Sequence, residues 1–450
     1  MLKVFNTLTR KKEEFKPIKD NKVKIFVCGP TVYDFSHVGH AKTYVQFDVI
    51  VKYLRYLEYN VFYLQNITNI DDKIIQRAKE ENIDPIKLAK KYEEEYLKDI
   101  SSLKVDSVNR YARATDYIKE IKKQVKLLLD KGHAYALSDG YYFDLSTFDD
   151  YGKLSGRTIQ QSEDAISRID ENREKKNKGD FCLWKFSKKG EPSWEWELCD
   201  GRPGWHIEDT AITEKELGQQ YDIHGGATDL IFPHHEAEIA QMESISGKKP
   251  FVKYWMHTAF LNIKGKKMSK SLKNFVTIRE ALEKYHGNVI RFFFASNHYR
   301  TPINFSYELL EQSKKAVERI TDFVRNLKEN PKRDDVDFIE KTRRKFTNLM
   351  NDDFDTPNAI AAIFDFIKDV NKKGGGKKSY ALMLEFDSIF NLLETEEEAT
   401  KEIKELVKER EMARKRKEWE KADLIRKRLV HKGYLIEDSE NGPRLKKISL

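Results

Sequence analysis

The hydrophobic pattern of this 450-residue chain is clearest near its N-terminus, where apolar and polar positions alternate. A period of two is typical of a strand with one buried face, and Val23, Ile25 and Val27 show it. Cys28–Pro30 ends the predicted strand, because glycine and proline interrupt regular structure. A helix is predicted soon afterwards, since apolar residues recur every four positions. They are Val45, Val49, Tyr53 and Leu57.

The same alternation of strands and helices continues to about residue 115. It predicts a strand over Asn60–Gln65 and a helix that starts near Asp71–Asp72, where the carboxylates favour the positive end of the helix dipole. This order indicates an α/β fold with a parallel, Rossmann-like sheet. The alternation stops from about 115 to 200, although a charged helix is predicted over Asp116–Lys131. We therefore interpret this segment as an insertion between two halves of the sheet domain.

Beyond about residue 305 the pattern becomes helical. Helices are predicted over Tyr307–Leu327, Val336–Met350 and Arg410–Arg426, the last of them basic and amphipathic. Thr356 and Pro357 predict an N-cap and a first helical position, respectively. Gly374–Gly376 separates neighbouring helices.

Composition limits the class of protein. The chain is too long for a single core, so two or more domains are expected. It shows no apolar stretch of membrane-spanning length and no signal pattern, and three cysteines without a Cys-x-x-Cys pair fit a reducing compartment. We expect a cytoplasmic protein. The net charge of +8, from 82 Lys and Arg against 74 Asp and Glu, permits a polyanionic partner.

A phosphate-binding motif is predicted where the first strand leads into the first helix. His37–His40 lies at the expected helix N-terminus, which offers unpaired N–H groups and a positive dipole end. The two imidazoles add donors, and Gly39 lets a nucleotide lie against the backbone.

This motif, together with Lys267–Ser271, resembles the paired ATP signatures of class I aminoacyl-tRNA synthetases. The flanking Cys28–Tyr33 is similar to the cysteinyl-tRNA synthetases in particular. The resemblance implies a catalytic domain over 1–305, with a connective insertion at about 115–200 and a stem-contact and signature region at about 250–305. It further implies a helical anticodon-side domain over 306–400 and a small anticodon-binding unit over 401–450.

The resemblance also implies the activity: cysteine and ATP would form cysteinyl-adenylate, and the cysteinyl group would pass to the 3′ end of tRNA(Cys). ATP, used with Mg²⁺, cysteine and tRNA(Cys) are the implied partners, and we expect a monomer. His37, His40 and Lys270 would be catalytic. The implied ATP-binding residues are Gly29, Thr31, His37, Gly39, His40, Asp229, Lys267 and Lys270. The implied cysteine-binding residues are Cys28, Thr68 and Trp205.

A metal site is a further candidate. His234 and Glu238 stand four residues apart on a helix predicted to begin at Pro233, so both can reach one ion, and Cys28 adds a thiolate at the same sheet edge. The resembled family binds zinc with these residues and a second cysteine. Here Asp209 occupies that position. It keeps the negative charge but makes the shell harder, so one zinc per chain is expected to bind less tightly.

Two alternatives to this shell stay open: Cys199 could supply the second thiolate, or no metal binds. Zinc would solve a selection problem, because an apolar pocket separates near-isosteres such as cysteine and serine by only about 10–200-fold. A zinc ion with an open position bonds a thiolate far better than an alcohol.

The tail departs from the family. Leu445 stands where relatives tend to carry tryptophan, which removes a stacking platform for an anticodon base. Two other functions remain open on sequence alone: a ligase that joins cysteine to an amino-sugar, and a non-catalytic tRNA-binding protein. The first would not need the basic tail, and the second would have lost one ATP signature.

Overall fold

The computed structural model describes residues 1–157, 172–263, 265–267, 275–393, 401–432, 434–439 and 442–447. The strands are β1 (Lys3–Asn6), β2 (Lys11–Glu14), β3 (Lys22–Val27), β4 (Asn60–Ile67), β5 (Arg110–Arg113), β6 (Ala134–Ala136), β7 (Gly140–Phe143), β8 (Phe181–Phe186), β9 (Gly201–Pro203), β10 (Tyr221–Ala227), β11 (Val252–Thr258), β12 (Leu261–Ile263), β13 (Lys266–Lys267), β14 (Ile303–Phe305), β15 (Tyr434–Ser439) and β16 (Gly442–Lys447). The helices are α1 (Val38–Tyr56), α2 (Asp72–Glu81), α3 (Pro85–Ser102), α4 (Ile118–Asp130), α5 (Ile207–Glu216), α6 (Glu236–Ser246), α7 (Ile278–Leu282), α8 (Gly287–Ala295), α9 (Tyr307–Glu329), α10 (Val336–Met350), α11 (Thr356–Lys373), α12 (Lys377–Phe390), α13 (Lys401–Lys415) and α14 (Trp419–His431).

A five-stranded parallel sheet forms the centre of the catalytic part, in the order β11-β10-β3-β4-β5. The predicted α/β class is therefore confirmed. Strand β3 is buried on both faces, because its side chains from Ile25 to Val27 pack between helices on either side. Strand β3 of the first half pairs in parallel with β10 of the second half. Their carboxyl ends therefore lie at the same edge of the sheet. Ligands bind at such an edge in open α/β sheets.

The insertion between the two halves is a small antiparallel sheet, β6-β7-β8-β9. It is tied to the first half by ion pairs at the start of α2. Asp72 pairs with Lys185 at 2.6 Å and also with the buried Arg202. A second tie comes from Glu236, which accepts hydrogen bonds from Gly152 N and Ser155 N at 3.2 and 2.6 Å. The insertion is therefore fixed against both halves.

A fully buried ion pair within the catalytic part also contacts the helical region that follows it. Arg291 of α8 pairs with Asp48 of α1 and donates to the carbonyl oxygens of Leu103, Lys104 and Phe390. Both charged side chains are completely buried. Buried charges are tolerated only with such complete pairing. This pair therefore fixes how the C-terminal end of α12 meets the sheet domain.

Two helix predictions are wrong in their details. Asp355, not Thr356, is the N-cap of α11, because its carboxylate accepts the hydrogen bond from Asn358 N and Thr356 is already helical. The predicted helix over Arg410–Arg426 is two helices, α13 and α14, which reverse direction around Lys417. Lys417 has a φ of 58°, in the left-handed region, which ends a helix. No helix among the described residues is long and apolar enough to span a membrane.

Candidate functional site

The shared edge of β3 and β10 leads to a buried group of metal-ligand side chains. Cys28 follows β3 directly, Asp209 lies in the first turn of α5, and Glu238 lies in the first turn of α6. The regular helix begins at Glu236 rather than at Pro233, so His234 precedes it in an irregular turn. His234 still contacts Glu238, as its spacing predicts, with 3.3 Å between Nε2 and Oε1.

These four predicted ligands meet. Cys28 Sγ lies 3.6 Å from Asp209 Oδ2, and His234 Nε2 lies 2.9 Å from the same oxygen. One donor atom from each residue lies within 4.8 Å of the others, and all four residues are buried. We call Cys28, Asp209, His234 and Glu238 the aspartate site. Cys199 does not join it; its carbonyl oxygen accepts a hydrogen bond from Trp184 instead.

A second donor set overlaps the first. Cys28 Sγ also lies 3.2 Å from His235 Nε2 and 3.4 Å from His224 Nε2, and Glu238 Oε2 lies 3.6 Å from His224 Nδ1. One donor atom from each of these four residues also lies within 4.8 Å of the others. We call Cys28, His224, His235 and Glu238 the histidine site. The two additional histidines were not predicted from the sequence; His224 lies on β10, and His235 adjoins the predicted ligand His234.

The electrostatics of the aspartate site favour a cation. Burial raises the pKa of the Cys28 thiol, and the nearby Asp209 and Glu238 raise it further. Burial and then Asp209 raise the pKa of Glu238 as well. Among the described residues, Asp209 Oδ1 and both carboxylate oxygens of Glu238 are buried without a hydrogen-bond donor. Such groups are costly without a partner, and a divalent cation would give these oxygens a partner and offset the charge of the two carboxylates.

The neighbouring histidines are neutral donors and acceptors. Burial lowers the pKa values of His206, His224 and His235, and it lowers the pKa of His257 to about 3. His206 Nδ1 lies 2.8 Å from His234 Nδ1, which fixes the orientation of that ring. Metal-bound imidazoles are commonly oriented by a hydrogen bond to their second nitrogen.

The predicted cysteine-binding residues surround the same group. Trp205 is half-buried and stacks on His234, with ring centroids 4.3 Å apart. Thr68 directly follows β4 and is buried. Its hydroxyl donates a hydrogen bond to Glu208 Oε2 at 2.7 Å. Burial and the neighbouring Asp209 raise the pKa of Glu208, a residue that the sequence reasoning missed. The Trp205 ring thus lies against one metal-ligand residue, and the Thr68 hydroxyl is held by Glu208, the neighbour of another.

The predicted phosphate-binding motif begins α1. His37 is the N-cap, its Nδ1 accepts from His40 N at 3.2 Å, and its ring stacks on His40 with centroids 3.7 Å apart. Gly39 lies in the first turn. Tyr44, one turn further, donates to the Cys28 carbonyl oxygen at 3.4 Å. The helix start and the metal-ligand group are therefore held to each other.

The remaining predicted ATP-binding residues are placed as follows. Gly29 N donates to Asn66 Oδ1 at 2.5 Å, and Thr31 pairs with Thr68. Asp229 is exposed in the turn after β10. Lys267 lies in β13, with its side chain outside the described part, and Lys270 lies wholly outside the described residues.

The segment after Lys270 returns to the helix start. Val276 O accepts a hydrogen bond from Val38 N at 3.0 Å, and Phe275 packs edge-on against His37. Phe275 and Val276, which follow the second signature in the sequence, therefore lie beside the first signature.

Three family models match consecutive parts of the chain. A model described as tRNA synthetases class I (C) catalytic domain matches residues 14–315. A DALR domain model matches residues 345–395, and a cysteinyl-tRNA ligase anticodon binding domain model matches residues 396–442.

Solved structures with the same fold include two synthetases of other types. Mycobacterium tuberculosis methionyl-tRNA synthetase in complex with methionyl-adenylate has 16% identity and a TM-score of 0.61, over 82% of this chain and 88% of that one. A leucyl enzyme from Agrobacterium radiobacter, in a ternary complex with tRNA and LeuAMS, has 10% identity and a TM-score of 0.61, over 84% of each chain. At these identities the likeness concerns the fold alone.

Proposed function

The chain belongs to the class I tRNA synthetases of the cysteinyl type, and we propose from this membership how its residues divide the reaction. It is a cysteine–tRNA ligase: cysteine and ATP give cysteinyl-adenylate and pyrophosphate, and the cysteinyl group then passes to tRNA with release of AMP. No protein nucleophile is needed, because positioning and charge neutralisation can carry both steps.

We assign ATP to the start of α1. The stacked imidazoles of His37 and His40 lie at the helix N-terminus, whose positive dipole end favours phosphate oxygens. Lys267 and Lys270 would neutralise the charge that develops on the leaving pyrophosphate, an effect of about 3–4 kcal/mol per donor. The proximity of Phe275 to His37 supports this assignment, since it brings the end of the lysine-bearing loop to the phosphates.

We assign the adenosine moiety of ATP to residues on either side of the N-terminus of α1. Gly29 and Thr31 lie at the carboxyl end of β3, and Asp229 is exposed in the turn after the adjacent β10. An exposed carboxylate at this edge suits a ribose hydroxyl or the ammonium group of the amino acid.

We assign cysteine to a position beside the metal-ligand residues, near Thr68 and Trp205. The Thr68 hydroxyl donates to Glu208, so its lone pairs are oriented to accept from the substrate ammonium group. Trp205 is held by stacking on His234 and excludes water from one side.

The aspartate site fits a zinc ion. Its unpartnered carboxylate oxygens and the Cys28 thiol are a mixed sulfur, nitrogen and oxygen donor set of the kind that zinc takes. When bound, zinc would supply an open position that accepts a thiolate in preference to an alcohol. This buried set beside the start of α1 is the observation that carries the proposal.

The test replaces one donor and compares it with a matched carboxylate. Glu238→Gln is expected to lower the preference for cysteine over serine in pyrophosphate exchange toward the roughly 10–200-fold of a pocket without zinc. Glu243→Gln is the control, because Glu243 is buried on the same helix but pairs with Lys153 at 2.5 Å. Equal selectivity in the two variants would contradict the assignment.

The two other functions are less well supported. The anticodon-binding model over residues 396–442 argues against an amino-sugar acceptor, and a complete class I catalytic match argues against a binding-only protein. Charging of tRNA(Cys) after cysteine-dependent exchange separates all three. The use of Mg²⁺, the monomeric state and the cytoplasmic location stay predictions.

A further inference from the structure

The histidine site has the geometry of a metal site in its own right. Ligands bound at 2.0–2.3 Å to a tetrahedral ion lie about 3.3–3.8 Å apart. Cys28 Sγ is 3.2 Å from His235 Nε2 and 3.4 Å from His224 Nε2. One donor atom from each of the four residues, Glu238 included, lies within 4.8 Å of the others, so shifts of about 1 Å would let them share one ion.

The second nitrogen of each histidine is already oriented. His224 Nδ1 lies 2.7 Å from the Tyr221 hydroxyl. His235 Nδ1 lies 2.8 Å from His257 Nε2, and His257 Nδ1 lies 2.8 Å from Thr7 Oγ1. Each arrangement directs Nε2 of the ligating ring toward Cys28. Hydrogen bonds of this kind fix the tautomer and ring orientation of metal-bound histidines.

Glu238 faces both sites with different oxygens. Oε1 lies 3.3 Å from His234 in the aspartate site, and Oε2 faces His224 in the histidine site. Both oxygens are buried without a hydrogen-bond donor among the described residues. Glu238 can therefore supply one carboxylate oxygen to an ion in either site.

We propose that the histidine site is a second metal-binding position, which takes a zinc ion when the aspartate site cannot. It offers one thiolate, two imidazoles and one carboxylate, a softer set than the aspartate site and one well suited to zinc. Because both sites use Cys28 and Glu238, they bind one ion at a time. The inference depends on the proposed function only in taking these two shared residues as metal ligands.

The test disables the aspartate site and then the histidine site. Asp209→Asn/His234→Gln protein, purified with zinc, is analysed for metal content and by X-ray absorption. The proposal expects about one zinc per chain, with one sulfur and two imidazoles around it. Adding His235→Gln is expected to lower the zinc content at least tenfold. The matched control adds His206→Gln instead, which removes a buried imidazole that belongs to neither site.

A folded double variant without zinc would overturn the proposal, and so would equal loss in both triple variants. If the double variant does not fold, Asp209→Asn alone replaces it, and one imidazole around its zinc, rather than two, would overturn the proposal. The proposed function fails separately. Wild-type protein that gains no sulfur around its zinc when cysteine is added would contradict the role of the aspartate site and leave the histidine site untouched.

Discussion

Restoring a thiolate at position 209 is the sharpest test of the metal centre. Asp209→Cys replaces a hard carboxylate with a soft ligand in a shell that holds Cys28, His234 and Glu238. Zinc binds oxygen at about 2.0–2.2 Å and sulfur at about 2.3 Å, so the ion needs to move by only about 0.1–0.3 Å. Cys28 Sγ and Asp209 Oδ2 are 3.6 Å apart, which already suits two ligands of one tetrahedral ion.

The expected gain in zinc affinity can be bounded. Changes to groups that merely orient a zinc ligand alter metal affinity by about 10–100-fold. Exchange of the ligand atom itself is therefore expected to raise affinity at least about tenfold, which equals about 1.4 kcal/mol. Asp209→Asn, which keeps the shape and loses the charge, should lower it. The dissociation constants are measured by competition with a colorimetric chelator at fixed pH.

Asp209→Cys protein that bound zinc no more tightly than the wild type would refute the assignment of residue 209 as a zinc ligand. Equal zinc affinity of Asp209→Asn and the wild type would refute it as well, since the carboxylate would then not be a ligand. Cysteine-dependent pyrophosphate exchange in the same proteins reports whether tighter binding changes the preference over serine.

Three further predictions concern other parts of the molecule. Trp419 is 58% exposed in the part that matches the anticodon-binding model, so Trp419→Ala should weaken tRNA binding by about 1–3 kcal/mol and leave pyrophosphate exchange unchanged, which steady-state kinetics would show. Burial alone would raise the pKa of Asp72. The positive charges of Lys185 and Arg202 have the larger combined effect and lower this pKa to about 2. The pairing therefore stabilises the folded state above the unfolded pKa of about 3.9, and the contribution is lost as pH falls toward 2. Because the Asp72 side chain is 59% exposed, Asp72→Asn should cost about 1 kcal/mol or less at pH 7 and progressively less between pH 4 and 2 in urea unfolding. Arg291→Met removes one of the two cations that pair with the buried Asp48 carboxylate and leaves Lys52, 3.1 Å away, as the other. The substitution should cost at most about 3–5 kcal/mol in urea unfolding, whereas a loss below about 1 kcal/mol would contradict the role of the pair.

The sequence predicts those parts of the structure that depend on local pattern. Strand β3 and helix α10 follow from apolar periodicity, and Val336–Met350 has the bounds that the pattern indicates. The start of α11 was misplaced by one residue, because Asp355 and Thr356 can both cap a helix and only the backbone decides between them.

The donors of the histidine site could not be predicted in the same way. His224 approaches Cys28 because β10 lies beside β3. His235, which directly precedes α6, contacts Cys28 from the second half of the domain. Such proximity is a property of tertiary packing between residues about 200 positions apart. A histidine on a buried strand is also usual in a core, so the pattern alone gave no reason to choose it.

The metal centre draws its donors from both halves of the sheet domain. Cys28 comes from the first half, whereas Asp209, His234 and Glu238 come from the second, beyond the insertion. The donors can meet only when the two halves are docked, and the insertion is tied to the first half at Asp72 and to the second at Glu236. An ion held by this shell would therefore add its binding free energy to the docking of the halves. On the proposed function, selection of the amino acid and assembly of the catalytic domain would therefore depend on the same four side chains.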